Sequence, residues 1–258
     1  MAANTKVEWA RHSFSPWIGC SPVSVGCQRC YAQASDARFF GGGHWGPGRP
    51  RLRRSDAYWA DPLKWERAAA VEGVRHRVFC SSMADVFDSE ALLEERWRLW
   101  PLIDRTPHLD WLLLTKRPEN LEDMLPAGWA ERPAPNVWLG VTAEDQARVE
   151  ERLPLLATTA TALRFVSVEP MLEPVNLLPW LQLRESGDPM RPRIGWVICG
   201  GESGPGARPM DLGWVRELRD QCARAVVPFL FKQRIEERKK ISLPVLDGRT
   251  HDAVPGVG

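Results

Sequence analysis

A chain of 258 residues, 44% hydrophobic and with a formal net charge of +1, has apolar content for one large core or two small ones. Its charge provides no global field to draw it to nucleic acid or to an anionic membrane, so any basic surface has to be local. The opening Met1 to Glu8 is short and polar, and no apolar run approaches the length that spans a bilayer. The protein is therefore expected in the cytoplasm, where thiols stay reduced and serve metals more than disulfides.

The first informative stretch is Gly19 to Tyr31, which places Cys20, Cys27 and Cys30, three of the six cysteines, within eleven positions. Pro22 and Gly26 favour a loop that folds its thiols inward. Soft thiolates suit an iron–sulfur cluster with one open iron, or a zinc. Zinc would need a remote fourth ligand such as His12, His44 or Cys80, and unligated thiols are the third option.

Tyr31 to Phe40 has helical composition, and residues 41–56 read as a flexible basic loop. Its Arg49, Arg51, Arg53 and Arg54 suit either phosphate contacts or a solvated charged face. A helix is expected over 57–71, then a buried strand over 77–80 ending in Ser81-Ser82-Met83-Ala84-Asp85. A helix over 89–103, capped by Asp88 or Ser89, leads to a strand over 111–114 that ends in Thr115-Lys116-Arg117. After a short helix over 120–125 come a strand over 137–141 and a helix to Leu156 with Thr142 and Asp145 at the spacing of a capping box. The strand over 163–168 ends in Glu169-Pro170, and that over 196–199 in Gly200-Gly201-Glu202-Ser203-Gly204. A helix over 211–225, a strand over 228–231 ending in Lys232-Gln233, and a C-terminal extension over 241–258 complete the chain. The thirteen tryptophans read mostly as core, with Trp17 and Trp45 close enough to the cysteine loop to stack on a planar ligand.

Continuously apolar strands recur at intervals of about thirty residues with helices between most of them, the length of a βαβ unit. This predicts a single α/β domain over 1–258, a complete or partial β/α (TIM-like) barrel with parallel strands, with an open doubly wound sheet as the alternative. In either, Asp85, Lys116, Glu144, Glu169, Glu202 and Lys232 follow strands directly and should line a site. Glu144, near a helix start, also suits a capping role. Glu169 and Glu202 have the chemistry of a hydrolase acid and base.

A three-cysteine loop at the start of such a barrel resembles the radical S-adenosylmethionine (SAM) superfamily. More particularly, Ser15-Pro16-Trp17-Ile18-Gly19-Cys20, Gly26-Cys27 through Cys30-Tyr31-Ala32, Gly200 to Gly204, Phe231-Lys232-Gln233 and Leu246 to His251 resemble a phage-associated radical-SAM-like domain family of unknown function. The common superfamily motif has three residues between its first two cysteines and an aromatic before the third; here there are six, and Arg29 precedes Cys30. The resemblance implies a four-iron, four-sulfur cluster on Cys20, Cys27 and Cys30, with SAM on the fourth iron and an external electron donor. If SAM binds, position on the strand-end rim places Ser82 and Asp85 at the methionine ammonium, Glu144 or Glu169 at the ribose, and Gly200 and Gly201 at the adenine or carboxylate, with Glu202 in the same cofactor-binding set. Lys116 and Lys232 would bind an anionic group of a nucleic acid or nucleotide substrate, and Cys199 would donate hydrogen. The competing reading is a zinc-stapled, nonenzymatic nucleic-acid-binding module.

Overall fold

The computed structural model describes residues 5, 7–181, 194–203, 206–237 and 239–256. Among them are ten strands and nine α-helices. The strands are β1 (His12–Phe14), β2 (Trp17–Ile18), β3 (Leu52–Arg53), β4 (His76–Cys80), β5 (Leu109–Thr115), β6 (Val137–Thr142), β7 (Leu163–Val168), β8 (Trp196–Gly200), β9 (Phe229–Glu236) and β10 (Lys239–Ser242). The helices are α1 (Tyr31–Phe39), α2 (Asp56–Trp59), α3 (Asp61–Glu72), α4 (Leu93–Asp104), α5 (Leu121–Met124), α6 (Gly128–Glu131), α7 (Gln146–Thr158), α8 (Leu178–Leu181) and α9 (Leu212–Arg224). Eight strands form one sheet in the order β1-β4-β5-β6-β7-β8-β9-β10, and β2 and β3 form a separate antiparallel pair. Neighbouring strands follow the chain order, as the expected α/β class of a partial, TIM-like β/α barrel requires. No described helix is long and apolar enough to cross a membrane.

Residue contacts divide the chain into two compact units, Met1–Leu139 with Ala160–Ala162, and Gly140–Thr159 with Leu163–Gly258. In the first, β4 pairs in parallel with both β1 and β5. The core is aromatic: Phe14 stacks on Tyr58 and meets Trp59 and Trp111 edge-on, with centroids 5.0, 5.1 and 5.7 Å away. Trp17 belongs to the core, completely buried, and Trp45 packs with Cys30, Phe40 and Leu52 against Ile18, Ala32 and Met83.

Two expected helix starts move, for identifiable reasons. The helix over 57–71 is two helices, because Ser55 caps the first turn by accepting from the Tyr58 amide and Pro62 opens a new helix after Ala60. The helix expected from 89 begins at Leu93, since Asp88 is occupied elsewhere and accepts from the Glu90 amide in a turn.

In the second unit, β7, β8 and β9 are parallel and β10 turns back antiparallel on β9. Asp145 is itself the cap of α7, accepting from the Arg148 amide at 2.8 Å, so Thr142 ends β6 and is not part of a capping box. The C-terminal extension packs on this unit: the Phe231 amide donates to His251 O at 2.7 Å, and Trp196 Nε1 donates to Ala253 O at 2.9 Å. Asp247 meanwhile ties it to Arg216 and Arg219 of α9.

Gly140 shows how tightly this unit is packed, since a Cβ there would lie 2.4 Å from the ring of the fully buried Phe165. Gly140→Ala is expected to cost about 1–3 kcal/mol of stability through overpacking. Chemical denaturation checks this, and adding Phe165→Leu should return part of the loss.

Candidate functional site

The cysteine loop follows the short β1 and β2 of the first unit. Cys20, Cys27 and Cys30 are free thiols of intermediate exposure. A single 3-10 turn over Val25–Cys27 brings the Cys27 amide to Ser24 O, and Cys30 stands at the N-cap of α1. The loop is anchored at its first cysteine. Arg117 Nη1 reaches Cys20 Sγ at 3.5 Å and Asp85 Oδ2 at 3.1 Å, and Nη2 donates to Ser21 O. Burial, and after it the charge of Asp85, push the Cys20 thiol up to about 12, while Arg117 works in the opposite direction.

Arg51 forms the second anchor. It is 5% exposed and donates to Asp88 Oδ2 through Nε and Nη2 at 3.1 and 2.7 Å, and to Ser21 Oγ and Glu90 Oε2 at 2.8 and 2.9 Å. Its Nη1 takes the carbonyls of His44, Gly46 and Arg49. Arg53 pairs with Glu94 and Glu95, and Arg54 lies 4.0 Å over the Tyr58 ring. Of the two settings expected for these arginines, phosphate contacts or a solvated face, Arg51 takes neither: it is buried among carboxylates, whose charges match it at shorter range than solvent would, while Arg49 and Arg53 are exposed.

The predicted carboxylates and hydroxyls after β4 sit beside this anchor. Asp85 is 6% exposed and accepts from Thr115 Oγ1, the amides of Phe87 and Lys116, and Arg117. Ser82 belongs to a hydroxyl ladder, accepting from Ser13 Oγ at 2.7 Å, with Ser15 Oγ at 3.4 Å, while Tyr31 Oη donates to its carbonyl. Lys116 is half-buried at the end of β5.

The residues proposed as a fourth zinc ligand are engaged in other ways. His12 Nε2 lies 3.2 Å from His76 Nδ1 and the ring stacks on Trp65, His44 Nδ1 lies 2.7 Å from Asp36 Oδ1, and Cys80 is fully buried in β4. Among the described residues no three His, Cys, Asp or Glu side chains form a group that could hold one metal ion. A four-iron cluster spreads its thiolates over separate irons and asks for wider spacing than a single ion does. Three free, partly exposed thiols on one loop, the first beside a guanidinium, have the donor chemistry for it.

In the second unit the ends of β7 and β8 carry Glu169, Cys199, Gly200 and Gly201, and Lys232 lies inside β9 beside them, not after the strand as expected. Lys232 Nζ donates to Glu169 Oε1 at 2.5 Å. Gly201 exchanges two hydrogen bonds with Gln233, its amide donating to the backbone carbonyl and its own carbonyl accepting from Nε2, while Gly200 O accepts from the Met171 amide. The two glycines therefore offer close approach more than open backbone groups. Cys199 is fully buried with its Sγ 3.6 Å from Met171 Sδ, and burial, then Glu169, hold its thiol far above the ordinary range. Glu202 accepts from the Arg208 amide and pairs with its guanidinium; Gly204 of the same motif lies outside the described residues. Glu144 is completely buried and accepts from Arg152 Nη1 at 2.8 Å, so it stands inside the unit and not on an open rim.

Sequence reading passed over Arg51, Arg117, Asp88, Arg152 and Arg208 as partners. Arg117 alone had a local signal, its place directly after β5 beside Lys116; the others are joined by the fold across intervals that no spacing rule covers.

Arg51→Met is expected to cost about 3 kcal/mol, the lower end for breaking a buried ion pair, because Asp88 loses its nearest counter-charge and keeps only Arg117 at 3.8 Å; the urea midpoint reads this, with Arg51→Met/Asp88→Asn costing less than the single change. Alkylation of the metal-free protein at pH 8, followed by mass spectrometry, should label Cys27 and Cys30 well before Cys80, Cys199 and Cys222. Burial raises the pKa of all three of the latter, that of Cys222 to about 12, and leaves them protonated and shielded.

Solved structures resembling the chain are those of spore photoproduct lyase. The lyase complexed with dinucleoside spore photoproduct gives a TM-score of 0.55. A cysteine-to-serine variant gives 0.53, and a double variant with bound AdoMet and dinucleoside spore photoproduct gives 0.51. Each is 13% identical in sequence, over 84% of this chain and 73% of the lyase. At that identity the likeness is one of fold. No curated protein sequence matches significantly. The chain belongs to the family described as protein of unknown function DUF5131, whose model matches residues 4–255.

Proposed function

We propose that the chain is an iron–sulfur radical SAM enzyme acting on a nucleotide or nucleic acid. The observation that carries the reading is the cysteine loop, three free thiols after the first sheet strand of a parallel α/β fold, with Cys20 under the Arg117 guanidinium. The likeness in fold to lyase structures that hold AdoMet and a dinucleoside photoproduct supports both the cofactor and the substrate class.

Cys20, Cys27 and Cys30 would hold the cluster as thiolates. When bound, a four-iron cluster with SAM supplies one-electron cleavage and hydrogen-atom abstraction, using electrons from an external donor. Arg117 stabilises the negative sulfur of Cys20, and Asp85, bound by four donors, keeps Arg117 in place. The Ser82 hydroxyl, backed by Ser13 and Ser15, presents a polar group to the methionine end of SAM. Lys116 at the end of β5 serves an anionic substrate group.

In the second unit Gly200 and Gly201 admit a planar group close to the backbone, and Glu202 fixes their loop through Arg208. Cys199, packed on Met171, forms an apolar floor in this account and does not donate hydrogen. Glu144, neutralised by Arg152, holds the turn after β6.

The test is the content of iron, zinc and acid-labile sulfide in protein purified without oxygen, for wild type and Cys27→Ala. About four irons and four sulfides per chain, lost in the variant, are expected. One tightly held zinc without sulfide would overturn the reading in favour of a zinc-stapled nucleic-acid-binding module.

A further inference from the structure

We propose that Arg117 sets how easily the iron–sulfur cluster accepts an electron: by donating to the sulfur of Cys20 it favours the reduced form, and Asp85, which holds it there, opposes part of that effect. This rests on the cluster reading above and assigns a positioning role to a side chain that is not itself a ligand.

Arg117 follows β5 directly and is 4% exposed. Its Nη1 donates to Cys20 Sγ at 3.5 Å and to Asp85 Oδ2 at 3.1 Å. Nη2 donates to Ser21 O and lies 3.8 Å from Asp88 Oδ1. One guanidinium therefore grips the first ligand and the peptide that follows it. A neutral thiol is a weak acceptor for a buried cation, and a thiolate is a strong one. The contact gains its full strength only when Cys20 is a ligand, which is the state it is built for.

The other two cysteines have different neighbours. Cys27 Sγ lies 3.9 Å from Ser24 Oγ, and Cys30 packs with Phe40, Trp45 and Leu52 against Ile18, Ala32 and Met83. The guanidinium thus bears on one sulfur of the three. Asp85 cannot swing away from it, because Thr115 Oγ1 and the amides of Phe87 and Lys116 also donate to that carboxylate. Asp88 matters less, since Arg51 Nη2 neutralises it at 2.7 Å.

Reduction passes one electron from the external donor, which is oxidised, to the cluster, and neither makes nor breaks a bond. It adds one negative charge, shared by the sulfurs. A hydrogen bond to a sulfur and a cation beside it favour that charge, and a carboxylate nearby disfavours it. Burial leaves both effects little screened. Arg117 and Asp85 therefore act with opposite signs on one quantity, the reduction potential.

The experiment is a redox titration with dithionite, without SAM, followed by electron paramagnetic resonance on protein purified without oxygen. Iron and sulfide are counted first. Arg117→Met is expected to leave about tenfold less reduced cluster at a fixed potential, a shift of about 59 mV to lower potential for one electron, as the loss of one hydrogen bond to a charged group implies. Arg117→Gln, which keeps a neutral donor, should fall between Met and wild type. Asp85→Asn should shift the potential upward, and Arg117→Met/Asp85→Asn should lie between the two single changes. A merely structural disturbance of the loop has no reason to reverse its sign between partners. Thermal melts and iron counts show which variants fold and load; where those at one position do not, the sign of the shift at the other decides. An Arg117 variant that keeps its cluster at the wild-type potential overturns the inference, as do shifts of the same sign at both positions. Either result leaves the enzyme reading intact. Wild-type protein without iron and sulfide overturns that reading, and this inference with it.

Discussion

The first unit is organised by buried guanidinium–carboxylate contacts between the segments that follow its strands. Arg51 and Arg117 come from different parts of the sequence and meet at Ser21, one through its hydroxyl and the other through its carbonyl. Their counter-charges, Asp85 and Asp88, lie in the segment after β4, whose backbone is held in turn by Arg96 and Asn120. Such charges are costly to bury singly and tolerable as a filled network. The cysteine loop, which has little regular structure, takes its position from this network. A loop held by side chains in this way can stay irregular without being unspecified.

The second unit solves its own problem by different means. Among the described residues its strand ends carry few ionic contacts beyond Glu144–Arg152, Glu169–Lys232 and Glu202–Arg208, and close packing does most of the positioning. Glycine at 140 lets Phe165 sit against the backbone, and glycine at 200 lets the Gln233 side chain and the Glu169 carboxyl group pack close to the chain. Met171 and Cys199 close the floor.

Much of the fold was legible because its strands are apolar throughout and its helices follow at regular distances. Val137 to Val141, Leu163 to Val168 and Trp196 to Cys199 lie in strands, as buried parallel pairing requires. Strands β1, β2 and β3 were not legible, since two or three residues carry no period. For the sites, the positions just after strands could be found from topology, and Asp85, Ser82 and Glu169 stand there, whereas Lys232, expected after its strand, lies inside β9, which runs on to Glu236 because β10 turns back to pair with it. Whether such a residue is open or closed could not. Glu144 and Arg152 are eight apart on no shared motif, yet the turn into α7 joins them and takes the carboxylate out of reach. The same limit applies to the basic loop, where composition shows four arginines and only the folded chain shows that carboxylates hold Arg51 and Arg53 while Arg54 lies over Tyr58.

The pairing of the C-terminal extension along β9 bears on synthesis. Strand β9 follows β8 in parallel, but the amide of Phe231 finds its partner only in His251, twenty residues later. While the ribosome still covers that segment, β9 has an unpaired stretch at the rim of a nearly finished sheet, the kind of edge that recruits other chains. The arrival of that segment therefore both completes a strand register and removes an aggregation-prone edge, and quality control in the cell would act on the chain until His251 has paired.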